Sequence, residues 1–266
     1  MRNKLTDELA ICGMNAVLAA GEFHPETINR LFLREDRFYS FTDVCKQLAE
    51  RKRPYKICDD EELERICKSV HHQGVVAMIE EPVIEPLSLE DLDLWADERK
   101  TGIILHSVGN DHNLGAIARA AAFFDVSFIV LNEKDESLNS ETESGLRLTT
   151  SAYRIAEGGF EHLTVRKIKN TASFLRDASK RLLTIGTDIR ARRRIRDLRS
   201  IVKSQYGDQA GGRPGIALIL GNEETGLPQN VKDQCSCLLR IPGTGNIESL
   251  NVSQAAALFL HTIFEL

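Results

Sequence analysis

Three short stretches of this chain set polar residues and glycines where an apolar, strand-like run gives way to a helical one. The first, Asn110-Asp111-His112-Asn113-Leu114-Gly115-Ala116-Ile117-Ala118-Arg119, opens an alanine-rich helix. Amides at a helix N-terminus favour an anion, and the planar fork of arginine takes oxygens in pairs. Asn113 and Arg119, read as facing one side of that terminus, therefore suit a phosphate or ribose-phosphate. The second, Leu220-Gly221-Asn222-Glu223-Glu224-Thr225-Gly226-Leu227-Pro228, follows the apolar run IALIL. Gly221 lets a ligand approach the backbone, Gly226 suits a tight turn, and Pro228 fits the first turn of a helix. Glu223, at the strand end, is placed to orient a hydroxyl or a basic group. In the third stretch, from Ile241 to Ser253, Gly243 and Gly245 permit a cradle of backbone, and Ser249, Asn251 and Ser253 open the last helix. Each stretch alone also reads more plainly, as a capped helix or a turn with solvated charges.

The elements that must hold these loops alternate strand and helix almost throughout. Residues 8–20 read as a helix, 28–33 as a strand, 41–53 as a helix, 55–58 as a short strand, 59–69 as a helix and 74–79 as a strand. They make a small α/β domain over residues 1–80. Residues 81–98 are acidic, contain Pro82 and Pro86, and read as a linker, with Trp95 packing between domains. A second α/β run fills residues 99–266, with strands at 103–108, 126–131, near Leu163, and at 182–186, 216–220 and 237–241. Its helices fall at 113–124, 141–151, 172–181 and 250–264. Such alternation implies a mainly parallel sheet covered on both faces, with ligands gathered beyond the carboxyl ends of its strands.

The 266 residues carry a net charge of -5, with 42% hydrophobic and 27% charged, which excludes collagen-like, low-complexity and wholly disordered chains. No run approaches the roughly 18 apolar residues of a membrane span. Leu9 to Ala20 resembles a signal-peptide core only until Asp7, Glu8 and Asn15 are counted, so a cytoplasmic protein is expected. The six cysteines show no CxxC pair or zinc spacing and read as buried thiols of a reducing compartment, with no metal. Against this acidic balance stands one basic run, Arg190, Arg192, Arg193, Arg194, Arg196 and Arg199. It reads either as a solvated face or as a disordered or helical insert that holds RNA phosphates.

Taken in order, NLGAIARAAAFFDV, LILGNEETGLP and LRIPGTGNIESLNVSQAAALFL resemble the three signature motifs of the SpoU (TrmH-like) RNA ribose methyltransferases, members of the trefoil-knot SPOUT superfamily. SAYRIAEGGFEHLTV is similar to a further segment of that family. CGMNAVLAA and SVHHQGVVAMI are similar to its small ribosomal-protein-like RNA-binding domain. The resemblance implies a knotted C-terminal domain, a homodimer, and transfer of the methyl of S-adenosyl-L-methionine (AdoMet) to a ribose 2′-hydroxyl of tRNA or rRNA. It further implies AdoMet held at Leu220, Gly221, Ile241, Gly245 and Leu250. Arg119, Asn113, Glu223, Ser249 and Asn251 become the catalytic set, and His72 is placed near the RNA surface. A guanidinium resists deprotonation, so Arg119 is read as a phosphate clamp rather than a base. The chain departs from the family pattern at Gly243, where a Met is usual, and at Tyr153 and Arg154, where small residues are usual. Those departures define the alternative, an RNA-binding member of the same fold that keeps AdoMet but not catalysis. The retained five polar residues speak against it. An oxidoreductase would need the dinucleotide fingerprint that the chain lacks.

Overall fold

The computed structural model describes residues 2–3, 7–108, 110–133, 148–207 and 213–266. In chain order its elements are β1 (Arg2–Asn3), β2 (Glu8–Cys12), α1 (Met14–Phe23), β3 (Ile28–Leu33), α2 (Thr42–Glu50), β4 (Tyr55–Ile57), α3 (Asp60–Cys67) and β5 (Val75–Glu80). There follow β6 (Glu85–Pro86), α4 (Leu89–Asp97), β7 (Thr101–Leu105), α5 (Asp111–Phe123), β8 (Phe128–Asn132), α6 (Thr150–Ala156), β9 (Thr164–Ile168), α7 (Thr171–Ala178) and β10 (Leu183–Thr187). The last are β11 (Arg193–Arg194), α8 (Leu198–Tyr206), β12 (Ile216–Leu220), α9 (Gln229–Lys232), β13 (Cys237–Arg240) and α10 (Val252–Phe264).

Two compact units result, one of Met1–Val83 with Arg147–His162, the other of Ile84–Leu146 with Leu163–Leu266. The smaller carries a five-stranded sheet in the order β1-β2-β5-β3-β4. The helix expected over residues 8–20 is corrected here. Leu9 to Cys12 are all buried in a strand that pairs antiparallel with β5, and the chain turns at Gly13 (φ 99°) before α1 begins. A continuous apolar run cannot by itself separate a buried strand from a helix, and Gly13 is the punctuation that decides. The segment after residue 147 joins this unit through the buried Ala152, Tyr153 and Ala156 of α6, which packs on β2. Tyr153 packs against Phe160 with the rings tilted and their centres 5.0 Å apart, and Asn15 Nδ2 donates to Glu157 Oε2 at 3.0 Å. The helix expected over 141–151 lies mostly outside the described residues.

The larger unit is built on eight strands in the order β11-β13-β10-β12-β7-β8-β9-β6, and every pairing in it is parallel. From β7 the chain steps outward through β8 and β9. It then returns to the other side of β7 to lay down β10, β12 and β13. The β7–β12 seam is therefore a topological switch point, where the connections leave a crevice.

Residues 81–98 are not an open linker. Glu85 and Pro86 pair with β9, and α4 starts in a reciprocal cap between Ser88 and Asp91. Trp95 does not sit between units. It is fully buried in the larger one, stacked 5.2 Å from Phe128, with Nε1 donating to the Ile216 carbonyl at 3.0 Å. Gly102 leaves the room that this indole fills. On one sheet face Trp95 joins Ile104, Phe128, Val130, Leu175, Ile219 and Leu227 in a core. On α10, Val252, Ala256, Phe259, Leu260 and Ile263 repeat at helical spacing and are buried, and α10 packs on α5. Its carboxyl end is held by cations, as the helix dipole favours. Arg199 Nη2 donates to the Glu265 carbonyl at 2.6 Å and Arg213 Nη1 to that of Ile263 at 3.3 Å.

Candidate functional site

The carboxyl ends of β7 and β12 are stitched together before either loop diverges. His106 N donates to the Leu220 carbonyl, and Asn222 Nδ2 donates to the Ser107 carbonyl, both at 2.9 Å. Asn222 also shapes its own loop, its Oδ1 accepting the Glu224 and Thr225 amides at 2.9 and 3.0 Å. Ser107 takes a left-handed backbone (φ 59°), which costs a non-glycine residue about 1–2 kcal/mol, and the grip of Asn222 holds it there. Asn222 is a residue that shapes the site and that sequence reasoning missed. An Asn just after a strand, two and three residues before the amides it accepts, is the pattern of an Asx turn and was the available signal.

Over this seam the three loops converge on one chain of hydrogen bonds. Asn113, in the first turn of α5 and only 6% exposed, donates through Nδ2 to Glu223 Oε1. Asn251 Nδ2 donates to Asn113 Oδ1 at 3.0 Å, and Asn251 Oδ1 accepts from Ser253 N and Oγ at 2.8 and 2.6 Å. The direction of this relay is forced. An ionised carboxylate only accepts, so Asn113 must turn its NH2 to Glu223 and its oxygen to Asn251. Asn251 must then present its own NH2 and leave its oxygen for Ser253. Residues 138 positions apart are thus locked in one orientation, with the start of α10 docked on the start of α5.

Arg119 is exposed on α5 and does not share the face of Asn113. A six-residue step, at about 100° per residue, leaves the two side chains about 120° apart. Asn113 turns inward to the relay, and Arg119 outward. Ser249 is exposed in the third loop.

The expected cofactor residues divide into two groups. Leu220 and Gly221 are buried, and a Cβ on Gly221 would meet the backbone of Gly226 and Leu227 at 2.5–2.8 Å. This glycine is required for closure of its own loop. Residues 242–251 are exposed throughout, Ile247 and Leu250 being 80% and 47% accessible. A Cβ on Gly243 or on Gly245 (φ 90°) would touch nothing within 4 Å.

The arginine run is neither a disordered insert nor one helix. It leaves β10 at Asp188, forms the edge strand β11 and leads into α8. Asp188 anchors it, accepting Arg190 N at 2.9 Å and pairing with Lys232 at 2.9 Å. Burial opposes ionisation of Asp188, yet these two contacts hold its carboxyl below the usual range. Arg190, Arg192, Arg193 and Arg196 are exposed, while Arg194 is half-buried. In the smaller unit His72, expected near an RNA surface, is buried instead. Its Nδ1 accepts Gly74 N at 3.1 Å, closing the turn before β5.

The fold is thus an α/β protein whose parallel sheet carries, at its switch point, an oriented amide–carboxylate relay beside an open glycine loop. Residues 100–261 match the model of the SpoU rRNA Methylase family, and residues 10–83 match that for RNA 2′-O ribose methyltransferase substrate binding. The chain belongs to the SpoU rRNA methylase family. It is 27% identical over 256 residues to the 23S rRNA (guanosine-2′-O-)-methyltransferase RlmB of Bordetella pertussis, with 94% of each chain covered. Identity to RlmB of Acinetobacter baylyi is 29% over 256 residues, again with 94% of each covered. The AdoMet-bound rRNA methyltransferase of Sinorhizobium meliloti shares the fold at a TM-score of 0.71 and 21% identity, over 97% of this chain and 87% of that one.

Proposed function

We propose that this protein transfers the methyl group of AdoMet to a ribose 2′-hydroxyl of tRNA or rRNA. The observation that carries the reading is the Glu223–Asn113–Asn251–Ser253 relay, in which all three signature loops meet at the switch point. AdoMet supplies an electrophilic methyl group. The open loop of Ile241, Gly243, Gly245, Ile247 and Leu250 fits its adenine through apolar contact and backbone hydrogen bonds. Leu220 and Gly221 act beneath it by fixing the course of the second loop.

The 2′-hydroxyl is a weak nucleophile that must be placed in line and relieved of a proton. Arg119 clamps the phosphate beside the target ribose. Glu223, fixed by Asn113, has a second carboxylate oxygen to orient the hydroxyl, and Ser249 donates from the third loop. Arg190, Arg192, Arg193, Arg194 and Arg196 draw RNA to the sheet edge, and the smaller unit contributes the rest of the grip. We further propose a cytoplasmic homodimer, formed through the exposed apolar residues Phe123, Leu258 and Phe264 of α5 and α10, and the trefoil knot of the family around α10.

The test is incubation with methyl-labelled AdoMet and separate unmodified tRNA and rRNA pools, with Arg119→Ala as control. Label recovered as 2′-O-methylribose from one pool, lost in the variant while AdoMet affinity persists, is the expected result. A fully active variant would remove Arg119 from the mechanism. AdoMet binding without label on either pool would favour the non-catalytic alternative.

A further inference from the structure

The outer edge of the smaller unit's sheet carries an exposed aromatic surface. β4 is the last strand in the order of that sheet and pairs with β3, Leu31 opposite Tyr55 and Leu33 opposite Ile57. Alternation turns Tyr55 and Ile57 to one face, where they remain 42% and 45% exposed. Phe38 packs against Tyr55, their ring centres 6.3 Å apart. Beside Phe38 on the short 3-10 helix Glu35–Phe41, Tyr39 is 91% exposed. Its backbone is well anchored, because Phe41 is fully buried and Thr42 Oγ1 donates to the Tyr39 carbonyl at 3.0 Å. Two large flat rings are thus held open to solvent on a fixed frame.

Cations lead into this surface. Residues 51–56 read Arg-Lys-Arg-Pro-Tyr-Lys, four basic side chains with no acid, in a chain whose net charge is -5. Two of the four are committed locally. Arg53 Nη1 donates to the Glu26 and Ile28 carbonyls at 2.7 and 2.6 Å, fixing the turn before β4, and Lys56 pairs with Glu62 at 2.6 Å. The others, Arg51 and Lys52, are exposed and enter no ion pair among the described residues. Lys52 lies at most about 11 Å of chain before Tyr55. Of the acids in residues 34–57, Asp36 binds Arg34 at 2.8 Å and Asp43 binds Lys46 at 3.1 Å, while Glu35 and Glu50 are exposed. The segment still holds seven basic residues to four acidic ones.

We infer that this edge binds unpaired nucleotides of the RNA, with Tyr39 and Tyr55 stacking on bases and Arg51 and Lys52 holding the adjoining phosphates. The inference rests on the function proposed above and specifies which part of the RNA the smaller unit takes. The chemistry selects single strands. In a paired A-form helix each base face is covered by the next base, so an outward-facing ring has nothing to stack on, whereas a loop or bulge presents bare faces. Stacking accepts any base, since every base has a π-face, and the phenol tip of tyrosine stays in water. A strand added to β4 by a second copy of the chain would use the β4 backbone instead. It would leave Tyr39, which lies off the strand, and both free cations without a role.

The experiment measures binding of the full chain to a hairpin RNA with an unpaired loop and to a fully paired duplex of the same stem, across a salt series. AdoMet binding, thermal melts and light scattering run in parallel. Tyr39→Ala and Tyr55→Ala should each weaken hairpin binding about tenfold and leave duplex binding, AdoMet binding and the melt unchanged. Tyr39→Phe and Tyr55→Phe keep the rings and should bind as the wild type does. Arg51→Gln with Lys52→Gln should lower the slope of log K against log salt by about 1.4 on the hairpin. Hairpin binding untouched by the alanine variants, or lost equally on hairpin and duplex, overturns the inference and leaves the proposed function standing. A changed oligomeric state with RNA binding intact assigns the edge to a second copy of the chain and likewise overturns it. A wild type that binds neither these RNAs nor bulk tRNA and rRNA overturns the proposed function as well.

Discussion

Asn113→Asp is the sharpest perturbation of the relay, because it keeps the shape of the side chain and reverses what it offers Glu223. The amide donates to a carboxylate; the variant sets a second carboxylate at the same place. At hydrogen-bond distance, with an effective dielectric constant near 20, the repulsion is about 5 kcal/mol. Glu223 is exposed, so solvent and proton uptake relieve much of it. A net loss of about 2–3 kcal/mol is expected, including the lost hydrogen bond of about 1 kcal/mol. At about 2–4 °C per kcal/mol, Tm of the larger unit falls by about 5–10 °C.

The sign with pH is definite. The new carboxyl has a folded-state pKa raised above its unfolded value of about 3.9, so its penalty is absent in acid. The penalty grows as pH rises through the raised value. Thermal melts of the wild type, Asn113→Asp and Asn113→Ala across that range separate the charge effect from simple loss of the amide. Methyl transfer should fall in parallel as Glu223 is pushed off residue 113, while the oxygen that accepts from Asn251 is kept. An Asn113→Asp protein as stable as Asn113→Ala at mildly alkaline pH would show that Asn113 does not face an ionised Glu223, and the forced direction of the relay would fall with it.

Gly221→Ala should destabilise the second loop by about 1–3 kcal/mol in denaturant titrations and weaken AdoMet binding through that loop. Gly243→Ala, with open space at its Cβ, should leave stability unchanged. Equal effects of the two would refute the closure argument. Replacing the exposed Arg190, Arg192 and Arg196 together by Gln should weaken RNA binding. It should also reduce the slope of log K against log salt by about 2 for single-stranded contacts. An unchanged slope would return them to ordinary solvated surface. In the smaller unit, burial raises the Glu161 carboxyl despite the opposing pull of His24. A raised folded-state pKa leaves stability intact in acid and erodes it as pH rises through that value. Glu161→Gln should therefore raise Tm at neutral pH and match the wild type in acid, and a lower Tm at neutral pH would refute this reading.

Much of the larger unit was legible because its strands are apolar runs bounded by clear punctuation. Ile216–Leu220 was read at its observed bounds, and α5 and α10 to within two residues at either end. The misreadings have separate physical causes. Residues 8–12 are as apolar as a buried helix, and only the turn at Gly13 separates strand from helix. Residues 81–98 look like a linker because two prolines and many acids dominate their composition. Yet Trp95 and the Ser88–Asp91 cap draw them into the core. His72 was misplaced because a histidine before Gln-Gly carries no local sign that its ring will cap the turn.

What the sequence determined by itself was the set of three loops, their order and their family, since each motif is local and contiguous. It also determined the alternation of strand and helix, which follows from side-chain periodicity. The tertiary structure alone decided which motif residues meet. Asn113, Glu223 and Asn251 become partners because all-parallel pairing brings the carboxyl ends of β7 and β12 side by side and docks the start of α10 on α5. Such contacts span more than a hundred residues and depend on strand order, which no local pattern of residue types encodes.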